Sequence, residues 1–275
     1  MLSVSVIIPT YNQDKLIKNA VESAARQSYK NLEVIVLDDA SADNTEIAVS
    51  ELAKQFSNIR YYKNEMNLGR VKTYHKGLYE LAKSDFCILL DGDDYFTDNE
   101  FIEKAVAAIE AKGKENVLFF QASHYAIKEK NIKNFVADEP KDFAVTTYIG
   151  AQYIKRFHVI GFSHLATLFN RSKAIGNDFY TADIFSSDID SFLRLCLKFS
   201  EGIVLKTNAK IGVWFKHNAN TSSSKSLNKL LPSLKIYFKM SKDVNAKKVG
   251  ISKLWAVRQS AKPILSIILR KLGLL

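Results

Sequence analysis

Residues 88–95, Ile88-Leu89-Leu90-Asp91-Gly92-Asp93-Asp94-Tyr95, decide how the chain folds. The apolar run from Phe86 to Leu90 has the length and character of a strand buried on both faces. It passes directly into three carboxylates within four positions. Carboxylates repel, and stripping each of water costs on the order of several kcal/mol unless something positive lies between them. Two readings are open at this point. In one, the strand ends at a cleft and its tip holds a divalent cation through oxygen ligands, with Gly92 leaving room for a close approach. In the other, the acids form a polar turn before a helix capped by Thr97-Asp98-Asn99-Glu100.

The preceding residues repeat the same unit. Val4-Ser5-Val6-Ile7-Ile8 is a β-branched run closed by Pro9, followed by a loop at Thr10-Tyr11-Asn12. A helix is predicted from about Asp14, with Leu16, Ile17, Ala20, Val21 and Ala24 at helical spacing. Leu32 to Leu37 is a second apolar strand that ends in Asp38-Asp39-Ala40-Ser41. The helix begun at Asp43-Asn44-Thr45 is expected to bury Ile47, Val49, Leu52 and Phe56. A short strand at Ile59 to Tyr62, a loop containing Asn67-Leu68-Gly69 and a helix over Tyr74 to Ala82 complete the pattern. Such alternation specifies an α/β domain with a mostly parallel sheet covered by helices. Ligands of these sheets bind beyond the carboxyl ends of the strands. The loops Pro9 to Asn12, Asp38 to Ser41 and Asp91 to Asp94 should therefore share one crevice. Neither G-x-G-x-x-G nor G-x-x-x-x-G-K-[ST] occurs, which argues against a dinucleotide oxidoreductase or a P-loop NTPase.

PTYN at 9–12, DDAS at 38–41, NLG at 67–69 and DGDDY at 91–95, in this order, resemble the nucleotide-sugar-binding half of a family 2 glycosyltransferase of the GT-A fold. The match is close over residues 3–112 and looser to about 222. The resemblance implies sugar transfer from a nucleoside diphosphate donor, UDP for preference, with inversion and assistance from Mn²⁺ or Mg²⁺. It implies that Pro9, Thr10 and Tyr11 lie along base and ribose, that Asp39 accepts from the base and that Asp91 contacts the ribose. Asn67, Gly69 and Gly92 fall among the donor-binding positions, and Asp93 is the metal ligand. Where the family often has Ala-Arg-Asn, this chain has Thr73-Tyr74-His75, so the cationic diphosphate contact would be absent or come from Arg70 or Lys72. Asp38 and Asp94 have alternative work as strand-end caps.

In the second half, a helix is expected over Asn99 to Ala111, a strand over Val117 to Ala122, and a loop or small hairpin over 128–142. His124 and His158 read as structural or acceptor-side groups. Ile160 to Phe169 alternates like a strand, and Ile203 to Leu205 with Ile211 to Phe215 read as a final pair. Ser187-Asp188-Ile189-Asp190 resembles the family's E-D-x-D segment with Ser187 in place of Glu. That match makes Asp188 the catalytic base, or else a helix cap, with Asp190 as the alternative base. His217 sits in a loop resembling one that closes over the diphosphate, where the family has a further metal ligand; it is otherwise a surface residue.

The sequence carries 47% hydrophobic residues, enough for a sizeable core, and its charge is unevenly placed. Residues 201–275 contain fifteen Lys or Arg against two acids, whereas the first 200 are slightly acidic. Residues 1–222 are expected to form the GT-A domain (1–112 for the donor, 113–222 for the acceptor), with 223–275 a basic amphipathic helical extension. That extension, with Leu227, Leu230, Leu231, Leu234, Trp255 and Ile264 to Leu272, suits an anionic membrane surface, or packing on the domain or on a second subunit. Two embedded cysteines, no secretory signal and no run of about 20 apolar residues point to the cytoplasm, at the inner face of the membrane. The expected partners are a nucleotide-sugar and a glycan or lipid-linked acceptor, not nucleic acid. Rival readings are a sugar-1-phosphate nucleotidyltransferase, whose glycine- and arginine-rich loop is missing, and a non-catalytic nucleotide-sugar or glycan-binding module.

Overall fold

The computed structural model describes residues 1–138, 143–184, 186–217 and 235–260. Its first half follows the alternating pattern: β1 (Val4–Thr10), α1 (Ile17–Ala25), β2 (Leu32–Asp38), α2 (Thr45–Gln55), β3 (Ile59–Lys63), α3 (Arg70–Lys76) and β4 (Phe86–Leu89). After the short β5 (Tyr95–Phe96) come α4 (Phe101–Glu110), β6 (Val117–Lys128), β7 (Val145–Ile149), α5 (Gly150–Ile160), β8 (Thr167–Asn170), α6 (Arg171–Ile175), α7 (Ser187–Lys198) and β9 (Ile203–Lys216). The strands lie in the order β3-β2-β1-β4-β8-β6-β9-β5, with β7 also paired to β9. From β3 to β4 every pairing is parallel; beyond β4 parallel and antiparallel pairings mix.

The strands are apolar throughout because both faces are covered. Val6, Ile8, Val34, Val36, Ile88 and Leu90 face α1, α2 and α4, and Ile7, Ile35, Cys87 and Leu89 pack with residues of α3, α5 and α7. Successive residues point to opposite faces, so each strand feeds both layers. Pro9 does not end β1, which continues to Thr10 in register with Asp38. Its missing N–H falls on the β4 side, where pairing has stopped at Ile7 and Leu89.

Several expectations are corrected. Ile47 is 59% exposed and lies on the outer face of α2. The helix expected from Tyr74 starts at Arg70 and passes into a π-helical turn at Gly77–Leu81. At Gly77 an added Cβ would lie 2.6 Å from Ile7 Cγ2, so this turn lies directly against β1. Of the strand expected over 160–169, only Thr167 to Phe169 are extended; Ile160 ends α5, which was not foreseen, nor was β7. The two strands expected at 203–205 and 211–215 are one 14-residue strand. The strand expected over 117–122 runs on to Lys128, and within 128–142 a 3₁₀ turn follows it at Glu129–Asn134.

The described part of the basic extension packs on the domain. Residues 235–240 and 253–260 are helical. Ile236, Tyr237, Met240, Trp255 and Ala256 join the core layer of α5 and α7. Of the two settings open to Trp255, a lipid interface or a packed helix, the second is found: it is buried and donates its indole N–H to the Ile154 carbonyl at 2.8 Å. Leu227, Leu230, Leu231, Leu234, the serine-rich piece at 221–224 and Ile264 to Leu272 lie outside the described residues.

Candidate active site

Three loops at the carboxyl ends of β1, β2 and β4 are tied into one surface. The Asn12 backbone N–H donates to Ser41 Oγ at 2.9 Å, and Ala42 N–H donates to Asn12 Oδ1 at 2.9 Å. Asn12 and Ala40 both have positive φ, 51° and 64°, a conformation these tight turns impose on them. Asp39 is buried and accepts from Asn64 Nδ2 and Leu68 N–H, both at 2.8 Å, and from Gly69 N–H at 2.9 Å. Gly69, at φ +85°, is the turn that aims this N–H, and it begins α3. Asp38 points the other way: it accepts from Ser41 N–H at 2.7 Å and Tyr61 Oη at 2.7 Å, a buried strand-end cap.

At the tip of β4, one oxygen from each of Asp91, Asp93 and Asp94 lies within 4.8 Å of the others. Burial and the Asp91 charge push the Asp93 carboxyl above the usual carboxylate range, against a hydrogen bond with His217 Nε2 at 2.8 Å. Burial, then the Asp93 and Asp91 charges, hold Asp94 well above it, although Phe215 N–H donates to Asp94 at 3.0 Å. Such crowding is relieved by a proton or by a cation, and an all-oxygen donor set suits a hard dication. The residues present therefore fit a divalent metal. Gly92 between them sits close to the first loop: a Cβ there would lie 2.4 Å from Gln13 Oε1 and would displace that side chain from Thr10.

Tyr74, where the family often differs, is fully buried and donates to Asp91 Oδ1 at 2.5 Å. The Arg70 guanidinium carbon lies 5.6 Å from the Tyr74 ring centroid. Burial would lower the Arg70 pKa, but Tyr74, Asp91 and Asp188 outweigh it and fix the positive charge. Tyr180 shares the cluster: its hydroxyl lies 3.0 Å from His164 Nε2, and burial followed by the Asp188 and Asp91 charges keeps it protonated.

The two candidate bases separate. Asp188, in the first turn of α7, lines the cleft. Asp190 is turned away and binds Arg194 Nε at 2.9 Å, while that guanidinium also donates to the carbonyls of Asn177 and Asp178. Ser187, which stands where the family has Glu, is buried, and its hydroxyl has no hydrogen-bond partner among the described residues.

The loop tips, the β4 acids, Arg70, Tyr74 and Asp188 border one cleft of about 1440 Å³. Pro9, Thr10, Tyr11, Asp39, Asn67, Gly69, Arg70, Asp91, Gly92, Asp93, Asp188 and His217 all line it; Lys72 does not. A sequence-family model described as Glycosyl transferase family 2 matches residues 5–174. The chain belongs to glycosyl transferase family 2.

Among this family's members, a GalNAc(5)-diNAcBac-PP-undecaprenol beta-1,3-glucosyltransferase of Campylobacter jejuni is 32% identical over 133 residues, 48% of this chain and 41% of that protein. An Escherichia coli UDP-Glc:alpha-D-GlcNAc-diphosphoundecaprenol beta-1,3-glucosyltransferase, WfgD, is 32% identical over 137 residues, 50% of this chain and 51% of that one. The chain thus spans about half, or less, of the length of these curated relatives. In fold it resembles S. aureus TarS 1-349 in complex with UDP-GlcNAc, with a TM-score of 0.69 at 18% identity over 90% of this chain and 69% of that one. The mannosyltransferase PcManGT from Pyrobaculum calidifontis, in complex with GDP-Man and Mn²⁺, gives 0.65 at 16% identity over 96% and 74%. At such identities the likeness is one of fold, the GT-A fold.

Several residues of the glycosyltransferase cleft were not singled out from the sequence as site residues. Gln13 accepts from Thr10 Oγ1 at 2.8 Å and braces the first loop. Phe157, Phe162, Trp214 and Tyr237 give the far wall an aromatic lining, and His124 and His158 stand among them. Burial, then the Asp188 charge, pushes Tyr237 up to about 12. Their only sequence signal is the aromatic content of segments that otherwise read as strand, loop and tail.

Proposed function

We propose that the chain transfers a sugar from a nucleoside diphosphate, UDP for preference, to a hydroxyl of a glycan or lipid-linked acceptor, with inversion. The observation that carries this reading is that donor-loop acids, the β4 acids and Asp188 border one cleft. Pro9, Thr10 and Tyr11 lie along base and ribose; Asp39, already braced by Leu68 and Gly69, keeps lone-pair capacity for the base. Asp91, oriented by Tyr74, meets the ribose. Asp93, with Asp91 and Asp94 beside it and His217 at its edge, would hold Mn²⁺ or Mg²⁺. When bound, that ion supplies positive charge against the diphosphate oxygens. Arg70 adds a permanent cation of the protein's own near the same centre.

Asp188 accepts the proton of the attacking acceptor hydroxyl. The hydroxyl oxygen bonds to the anomeric carbon as the bond from that carbon to the phosphate oxygen breaks, and the nucleoside diphosphate leaves with the electron pair. No covalent intermediate on the protein is needed. The names of the relatives, which act on diphosphoundecaprenol-linked sugars, support a lipid-linked acceptor, and with it work at a membrane surface. No described helix is long and apolar enough to cross a bilayer.

The test is a screen of nucleotide sugars by thermal shift with and without Mn²⁺, followed by release of nucleoside diphosphate. Metal-dependent stabilisation by one donor, and turnover lost in Asp188→Asn while donor binding persists, is expected. Donor binding without any turnover in the unaltered protein would replace the transferase with a nucleotide-sugar-binding module.

A further inference from the structure

Outside the cleft, a second cavity of about 500 Å³ opens between the last turns of α5 and the β7–β9 edge. Lys206 lines it and is only 8% exposed. It sits on β9 opposite Thr146 of β7 and Gln121 of β6. Its ammonium has one partner among the described residues, the neighbouring Thr207 carbonyl at 3.2 Å. Burying a cation without a counter-charge is costly, and proteins rarely retain one for stability alone. Burial lowers the Lys206 pKa, and no carboxylate among the described residues opposes that shift.

The rest of the cavity matches the ammonium in kind. Arg156 adds a second cation, and Thr146, Tyr148 and Asn208 add neutral donors. Two cations, one with a planar fork, and three donor side chains suit an anion with several oxygens better than a single carboxylate. The cavity is large enough for a diphosphate or a phosphorylated group. Lys206 lies at the base, and exposed Arg156, Thr146 and Asn208 share the mouth with Val159, which is 70% exposed, and Ile160. A buried cation below a mouth that is part cationic and part apolar accepts an anion, bare or attached to a hydrocarbon chain. The preceding turn of α5 carries Phe157 and His158 to the main cleft, so the two cavities flank one helix end.

We propose that Lys206 and Arg156 form a second binding site, for a phosphate or diphosphate group, distinct from the donor cleft. The group can come from a free anion or from the phosphoryl end of a lipid-linked molecule. The probes are inorganic pyrophosphate and a short prenyl diphosphate, added to the full chain already saturated with UDP and Mn²⁺, so that the donor cleft is occupied. Pyrophosphate at about tenfold over its Kd should raise Tm by roughly 3–6 °C. Lys206→Met and Arg156→Met should each lose that shift while keeping the UDP shift, which also reports that they are folded. Tighter binding of the prenyl diphosphate than of pyrophosphate assigns the lipid-linked source; equal binding assigns the free anion. No pyrophosphate shift, or an equal shift in both variants, overturns the site. A failure of the UDP shift in the unaltered chain tells against the donor reading instead, and pyrophosphate alone then still tests Lys206.

Discussion

The wall of the cleft built by the first half of the chain is held by directional hydrogen bonds, and the wall built by the second half by ring contacts. On the donor side, Asn12, Ser41, Asp39 and Gly69 lock neighbouring loops through backbone N–H groups. On the far side, Phe162 meets Phe192 at 4.9 Å and Phe157 at 6.5 Å, His124 meets Trp214 at 5.9 Å, and Tyr237 meets Trp255 at 5.8 Å between centroids. A hydrogen-bonded turn has one geometry and fails when a partner is lost. An aromatic cluster repacks around a volume-conserving change at modest cost. Under the proposed function, the first wall serves the part of the ligand that stays constant, the nucleotide, and the second the part that varies, the acceptor.

That contrast can be broken most sharply at Asp93. Asp93→Asn should cut nucleoside diphosphate release by about 10²–10³-fold or more, the scale of losing one group that organises transition-state charge. Its Tm without ligand should not fall, because the substitution removes a carboxylate that burial and Asp91 already disfavour. Asp39→Ala comes next. It strands the Leu68 N–H and the Asn64 amide, while the Gly69 N–H keeps Asn67 Oδ1 at 3.0 Å, so urea unfolding should register a loss of about 1–3 kcal/mol together with weakened UDP binding. Phe162→Leu, on the other wall, should leave the UDP Kd unchanged and cost under about 1.5 kcal/mol, with its effect confined to the KM of the acceptor.

The smallest expected effect is a pH slope at Lys206. Burial lowers its pKa in the folded chain below the ordinary 10.5. Between those two values the unfolded chain binds the extra proton, so stability rises with pH across that window. Lys206→Met should therefore be the more stable protein near neutral pH, by a margin that shrinks as pH approaches about 10. Urea unfolding of the two proteins across about pH 7–10 reads this directly; a constant margin contradicts it.

How much could be read beforehand divides along the same line. The parallel half was legible because its strands are continuous apolar runs and each ends in an acid or a turn residue, as at Leu37-Asp38 and Leu90-Asp91. The loops that line the cleft followed from the rule that ligands gather at strand carboxyl ends. What escaped was set by tertiary contact. Gly150 starts α5, and a Cβ there would lie 2.7 Å from the Phe199 carbonyl and 2.8 Å from that of Cys196, a close approach to the end of α7 that no local pattern shows. Ile47 fits a helical stripe, but α2 turns it to solvent. Trp255 looked suited to lipid, and nothing local reveals that Ile154 offers its indole a carbonyl. Tyr74 stood out as a departure from the family, while its bond to Asp91 comes from a helix that begins at Arg70, four residues before the apolar pattern placed its start.

Strand β9 runs unbroken from beneath Lys206 to Lys216, one residue short of His217. At roughly 3.3 Å per residue, the eleven steps from 206 to 217 reach no further than about 36 Å. One strand thus carries the floor of the second cavity and, past its far end, the imidazole that bonds Asp93. Its register against β6 shifts between those two points, so inserting or deleting one residue there would displace one end against the other and leave each end's own contacts intact.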